Sequence, residues 1–152
     1  MTGREDKKEN DLFFLCSLID YIGRKTKNYR STVVNALGIK ELQHLYDYAD
    51  VYHCENIDKI SNELIEKHHI EDGYFDNVAS ARYAVPSYWD IGKVYQRLIL
   101  DVAHSTDGDI INTMMMIYNS WITRKIDNYN SSMYYENPAY LFESFKAGAV
   151  LA

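Results

Sequence analysis

At 152 residues, with 47% hydrophobic and 25% charged side chains, the chain has the size and composition of one globular domain and too much apolar content for a disordered one. Two prolines and seven glycines are too few for a many-turned sandwich or barrel, so long regular elements are expected. A net charge of −6 excludes a general nucleic-acid coat, which needs a surplus of lysine and arginine to displace counterions from phosphates.

Residues 1–9 read as a flexible charged tail, too polar for the apolar stretch of a secretory signal. Asn10 or Asp11 is placed to cap a helix in which Leu12, Leu15, Cys16, Leu18, Ile19 and Ile22 cover more than one face. That pattern predicts a central core helix ending near Gly23. Ser31 is expected to cap a short helix closed by Gly38, and a second, from Ile39 or Lys40, carries Leu42, Leu45, Tyr46 and Ala49 at helical spacing. Asn56 caps the next helix, with Ile57, Ile60, Leu64 and Ile65, which ends before Gly73.

Residues 71–86 show no period, and a loop of that length in a small domain either binds something or is a packed connector. Ser87 and Asp90 then have capping-box spacing ahead of a stripe of Ile91, Val94, Tyr95, Leu98, Ile99 and Val102. After "STDGD", the positions from Ile111 to Tyr129 predict one long amphipathic helix, with the Met114–Met116 run filling gaps in the core. Asn137 and Pro138 open a last helix carrying Leu141, Phe142 and Phe145, stopped near Gly148; residues 149–152 form a short tail. The expected fold is therefore a single all-α domain over 10–148, a compact irregular bundle of about six or seven helices.

Three kinds of site are compatible with this frame. Four of the five histidines follow an acid by three residues, including Glu66 with His69 and Asp101 with His104, the spacing at which carboxylate-bridged bundles hold metal ions. A ligand must point inward, however, and these pairs, like Glu41 with His44, fall on the side of their helices away from the apolar stripe. Wet helical faces are thus the preferred reading, with no cofactor expected and metal binding kept as an alternative. The segment 24–49 has the outline of a helix-turn-helix, and Arg24, Lys25, Lys27, Arg30 and Lys40 form a basic run able to grip phosphates. Against DNA binding, the second helix would present Glu41, His44 and Asp47 to an anionic groove.

The third kind is a protein-binding surface. Fourteen tyrosines are an excess, and tyrosine combines a large apolar ring with one polar tip, as half-buried core positions and interfaces both require. Tyr134, Tyr135 and Tyr140 near the C-terminal loop, with Tyr88 and Trp89 beside the irregular segment, are the candidate contacts. Charge is also segregated: ten acids between Glu41 and Asp76 face only Lys59 and Lys67. No phosphate-cradling glycine loop or nucleophile elbow is present to propose an enzyme. Two cysteines, neither part of a disulfide framework, and no apolar stretch near membrane-spanning length suggest a cytoplasmic protein.

The phrases "CSLIDYIGRKTKN", "ADVYHCENIDKIS", "SYWDIGKVYQRLI" and "YNSWITRKIDNYNSSMYYENPAYLFESFKAG" resemble a family of small bacterial all-helical proteins with no assigned function, over about residues 11–148. Relatives can be encoded near ADP-ribosyltransferase-like toxins, which implies an antitoxin or accessory role with a toxin as partner. The expectation is a non-enzymatic interaction module that binds a protein partner, with a homo-oligomer compatible with the same surface.

Overall fold

The apolar residues of the first helix decide the architecture. In the computed structural model, which describes residues 3–151, Leu12, Leu15, Cys16, Leu18, Ile19 and Ile22 are all 0% exposed, because other helices surround α1 (Gly3–Thr26). The chain continues as α2 (Arg30–Asp47), α3 (Ala49–Tyr52), α4 (Ile57–Lys67), α5 (Tyr88–Thr106), α6 (Ile110–Tyr118), α7 (Trp121–Ile126), a 3-10 turn at Met133–Tyr135, and α8 (Pro138–Ala147). Among the described residues there is no strand, and the fold is an all-helical bundle. Among the described residues no helix is long and apolar enough to cross a membrane.

The α1–α5 pair is the backbone of the bundle, with α2, α3 and α4 also packed on α1, and α6 and α8 on α5. Gly92 permits the close crossing. A Cβ there would lie 2.8 Å from the Ser17 backbone nitrogen and 2.9 Å from its Cα. Three of the predicted caps are formed: Asn56 accepts from the Asp58 and Lys59 amides, Ser87 and Asp90 complete a reciprocal capping box, and Asn137 accepts from the Ala139 amide ahead of Pro138 at the first turn. Gly148 takes the left-handed conformation that closes α8. Met114 is buried in the core, while Met116 is 48% exposed.

Five boundaries differ from expectation. Helix begins at Gly3, so residues 3–9 belong to α1 and Asn10 and Asp11 lie inside it; Asp11 is buried and bonded to Lys7 Nζ at 3.1 Å instead of capping. Residues 1 and 2, and Ala152 of the expected C-terminal tail, lie outside the described residues. The helix also runs through Gly23, whose missing side chain makes room for a guanidinium rather than a turn. Tyr29 precedes α2 where Ser31 was expected, and the two expected helices are joined across a kink at Gly38 (φ 80°, ψ 163°), a conformation only glycine adopts freely. The long helix expected over Ile111–Tyr129 is broken into α6 and α7. The Asn119 amide there donates to the Met115 carbonyl, and the Ser120 and Thr123 hydroxyls both donate to that of Ile117, so side chains compete with the helical ladder.

Candidate interaction surface and the charge network beneath it

Arg30, expected in a solvent-facing basic run, is 0% exposed. Its Nε donates to Asp20 Oδ1 at 2.9 Å, Nη1 to the Asn28 carbonyl at 2.9 Å, and Nη2 to Asn77 Oδ1 at 3.3 Å. Gly23 supplies the space, since a Cβ there would come within 2.7 Å of Nη1. The second oxygen of Asp20 accepts from Arg24 Nε at 2.8 Å, so one buried carboxylate bridges two arginines. Asp127, 1% exposed, accepts from the Tyr95 hydroxyl at 2.8 Å, and its carbonyl accepts from Asn77 Nδ2 at 3.0 Å.

Buried Arg30, Asp20 and Asp127 thus cluster with part-exposed Arg24 at their edge. Burial pushes the Asp127 carboxyl up to about 7; the nearby Asp20 adds to that rise and Arg30 opposes it. Desolvation likewise pushes Tyr129 up to about 12.

The network fixes the irregular segment, which is pinned to the two turns it crosses. The Gly73 and Phe75 amides donate to the Thr26 and Lys27 carbonyls, both at 2.8 Å, and Asn28 Nδ2 donates to the Glu71 carbonyl at 2.8 Å. Asn130 exchanges bonds with the Arg82 amide and the Ser80 carbonyl. Arg24 Nη2 donates to the Pro86 carbonyl at 2.7 Å and lies 3.0 Å from the Tyr129 hydroxyl. Arg24 therefore holds the chain two residues before Tyr88, and also the ring against which Tyr134 packs.

On either side of this anchor lie two aromatic clusters. Across the α1–α5 seam, Phe13 meets Trp89 at 5.5 Å between ring centroids, Trp89 meets Tyr88 at 5.0 Å, and Tyr88 meets Tyr21 edge-on at 5.0 Å. All four rings are half-buried, leaving part of each at the surface. Lys93 Nζ sits 5.3 Å from the Phe13 centroid and Lys25 Nζ 5.9 Å from that of Tyr21. Asp58 accepts from the Tyr21 hydroxyl at 2.7 Å and from Lys25 at 2.6 Å, fixing that end; its hydrogen bond is the main reason the Tyr21 phenol is pushed up to about 12. In the second cluster Tyr129 packs on Tyr134 at 5.7 Å and Tyr134 on Tyr135 at 4.9 Å, with Tyr135 68% exposed.

Of the predicted contacts, Tyr88 and Trp89 come together in the seam, and Tyr134 and Tyr135 in the second cluster. Tyr140 stands apart, its hydroxyl donating to the Leu151 carbonyl at 2.7 Å. Sequence reasoning missed Phe13, Tyr21 and Tyr129. A signal existed for the seam, since Phe13 and Tyr21 are two helical turns apart on one helix, but the register of α5 against α1 is not written in either segment alone.

The basic run does not form a phosphate grip. Arg30 is sealed in the core and Arg24 is committed to Asp20, while Lys25 pairs with Asp58; only Lys27 and Lys40 of the five are exposed without an ion pair to a described residue. Glu41, expected on a wet face with His44, is instead 8% exposed, and its Oε1 accepts from Lys67 Nζ at 2.7 Å and lies 2.8 Å from His68 Nε2. Burial acts to raise this carboxyl, but Lys67 and His68 outweigh it and hold it below its ordinary value. Glu66, His69 and His104 are exposed; Asp101 is half-buried, and desolvation raises its carboxyl. Among the described residues no group of three or more His, Cys, Asp or Glu gathers where it could hold a metal ion. Neither cysteine is in a disulfide: Cys16 is buried and Cys54 exposed.

No family model matches the chain, and neither the curated proteins nor the solved structures contain a detectable match.

Proposed function

We propose that this chain is a non-enzymatic, cytoplasmic protein-interaction module whose partner docks on the aromatic seam of α1 and α5. The observation that carries the reading is the unbroken run of half-exposed rings Phe13, Trp89, Tyr88 and Tyr21, with the Tyr21 hydroxyl bonded to Asp58 and the chain ahead of Tyr88 held by Arg24. Tryptophan and tyrosine dominate binding energy at protein interfaces because they bury large area through few rotatable bonds. Here the rings already pack on one another before binding, which reduces the entropy lost on association. The family resemblance of the sequence supplies a direction for the partner: an ADP-ribosyltransferase-like toxin that the module neutralises or accompanies.

The test is co-purification from the source cells with the wild-type chain and with a Tyr88→Ser, Trp89→Ser variant. The expected result is one stoichiometric protein with the wild type and its loss with the variant, while circular dichroism and thermal midpoint confirm that the variant is folded. Absence of any stoichiometric partner, or equal recovery by a folded variant, contradicts the proposal.

A further inference from the structure

Between α5 and the corner leading into α8 lies a cleft of about 230 Å³. Val94, Leu98 and Leu141 give it an apolar floor, and Tyr134 and Tyr135 form a wall. At its lip stands Arg97, exposed, with no hydrogen bond or ion pair to any described residue. The other groups at the lip are partly committed: the Glu136 carboxylate accepts from the Ser132 hydroxyl at 2.8 Å, and Asn137 Oδ1 accepts from the Ala139 amide at 2.8 Å, leaving Asn137 Nδ2 as a donor.

An apolar floor, a tyrosine wall and two donors at the mouth complement an apolar side chain followed by a carboxylate. We propose, building on the interaction-module reading, that this cleft is an anchor pocket for an acidic segment of the partner protein. One large apolar side chain of that segment fills the floor and an adjacent carboxylate pairs with Arg97. Of the two charged groups at the lip, Glu136 has one oxygen bonded to Ser132, whereas Arg97 has all its guanidinium N–H groups free of described partners and can donate two of them to one carboxylate. Continuity with the seam supports the placement, since Tyr134 of the wall packs on Tyr129, whose hydroxyl meets the same Arg24 that holds the approach to Tyr88.

Methyl-selective NMR of the full chain tests this with two small probes of matched shape and opposite charge, hydrocinnamate and phenylpropylamine. Hydrocinnamate is expected to shift the Val94, Leu98 and Leu141 methyls saturably. The amine, and hydrocinnamate with the Arg97→Ala variant, should bind about tenfold or more weakly, the change that one charge-assisted hydrogen bond supplies. Arg97 is exposed, so its removal leaves the fold intact, and Arg97→Lys should recover only part of the affinity. Silent methyls, equal response to the amine, or an unaltered response in Arg97→Ala overturns the pocket. If the methyls stay silent while the Tyr88 and Trp89 substitutions still abolish partner recovery, the interaction module stands and this cleft is not its anchor.

Discussion

Arg30 is the residue on which the rest of this end of the molecule depends. Removing one member of a buried charge set leaves the others desolvated and unpaired, which costs about 3–5 kcal/mol. Arg30→Ala is therefore expected to lower the unfolding free energy by about that amount in urea titrations, and Arg30→Lys should not restore it, because a single ammonium cannot serve Asp20, the Asn28 carbonyl and Asn77 together. A loss within about 1 kcal/mol, the range of an exposed ion pair, would show that the arginine is solvated.

Asp127 adds a pH signature. Its ordinary value of 3.8 rises to about 7 in the folded chain, so between those values the folded state holds a proton that the unfolded state has released. Stability from this group is full below its unfolded value and falls as pH rises toward 7. Asp127→Asn should flatten that slope in thermal midpoints taken across the range. Glu41 acts with the opposite sign: its depressed carboxyl contributes above its ordinary 4.5 and loses that contribution as pH falls.

Thiol chemistry reports on the core. Burial pushes the Cys16 thiol up to about 12, and the Tyr118 hydroxyl beside it makes no conventional hydrogen bond. One equivalent of an alkylating reagent should react readily at exposed Cys54, and Cys16 should react only on unfolding. Rapid modification of both in the native protein would contradict the packing around α1.

At the scale of elements, the glycines separate what was legible from what was not. Gly38 and Gly148 stop or bend helices as a sequence reader expects, whereas Gly23 and Gly92 lie inside α1 and α5 and exist for close approach by Arg30 and by Ser17. A glycine inside a pattern looks the same in either role. Gly38→Ala, forced into a mirror-image region, is expected to cost about 1–3 kcal/mol by denaturant titration. The irregular segment depends on side chains from elsewhere, so Asn77→Ala should speed hydrogen exchange at the Gly73 and Phe75 amides while leaving α5 and α6 protected. Unchanged exchange would mean that backbone bonds alone hold the segment.

For the whole molecule, apolar periodicity revealed the bundle, its central helix and most caps, because those depend on neighbours a few residues away. The charge network was hidden, since Asp20, Arg30, Asn77 and Asp127 meet only through the fold and each looks like an ordinary polar residue in its own segment. Half of the proposed surface was visible for the same reason: Tyr88 and Trp89 are neighbours in the chain, but their partners Phe13 and Tyr21 come from another helix. Together these elements describe a scaffold in which a largely buried polar network anchors the chain on either side of the aromatic rings at one surface.

The most direct measurement is photocrosslinking in the source cells with a benzophenone amino acid placed singly at Tyr88, and at Lys125 and Glu63, which lie outside the seam. A discrete covalent adduct with one protein from position 88, and none from the other two, is the predicted result. Adducts of equal yield from all three positions, or none from position 88 in a folded variant, would contradict the account.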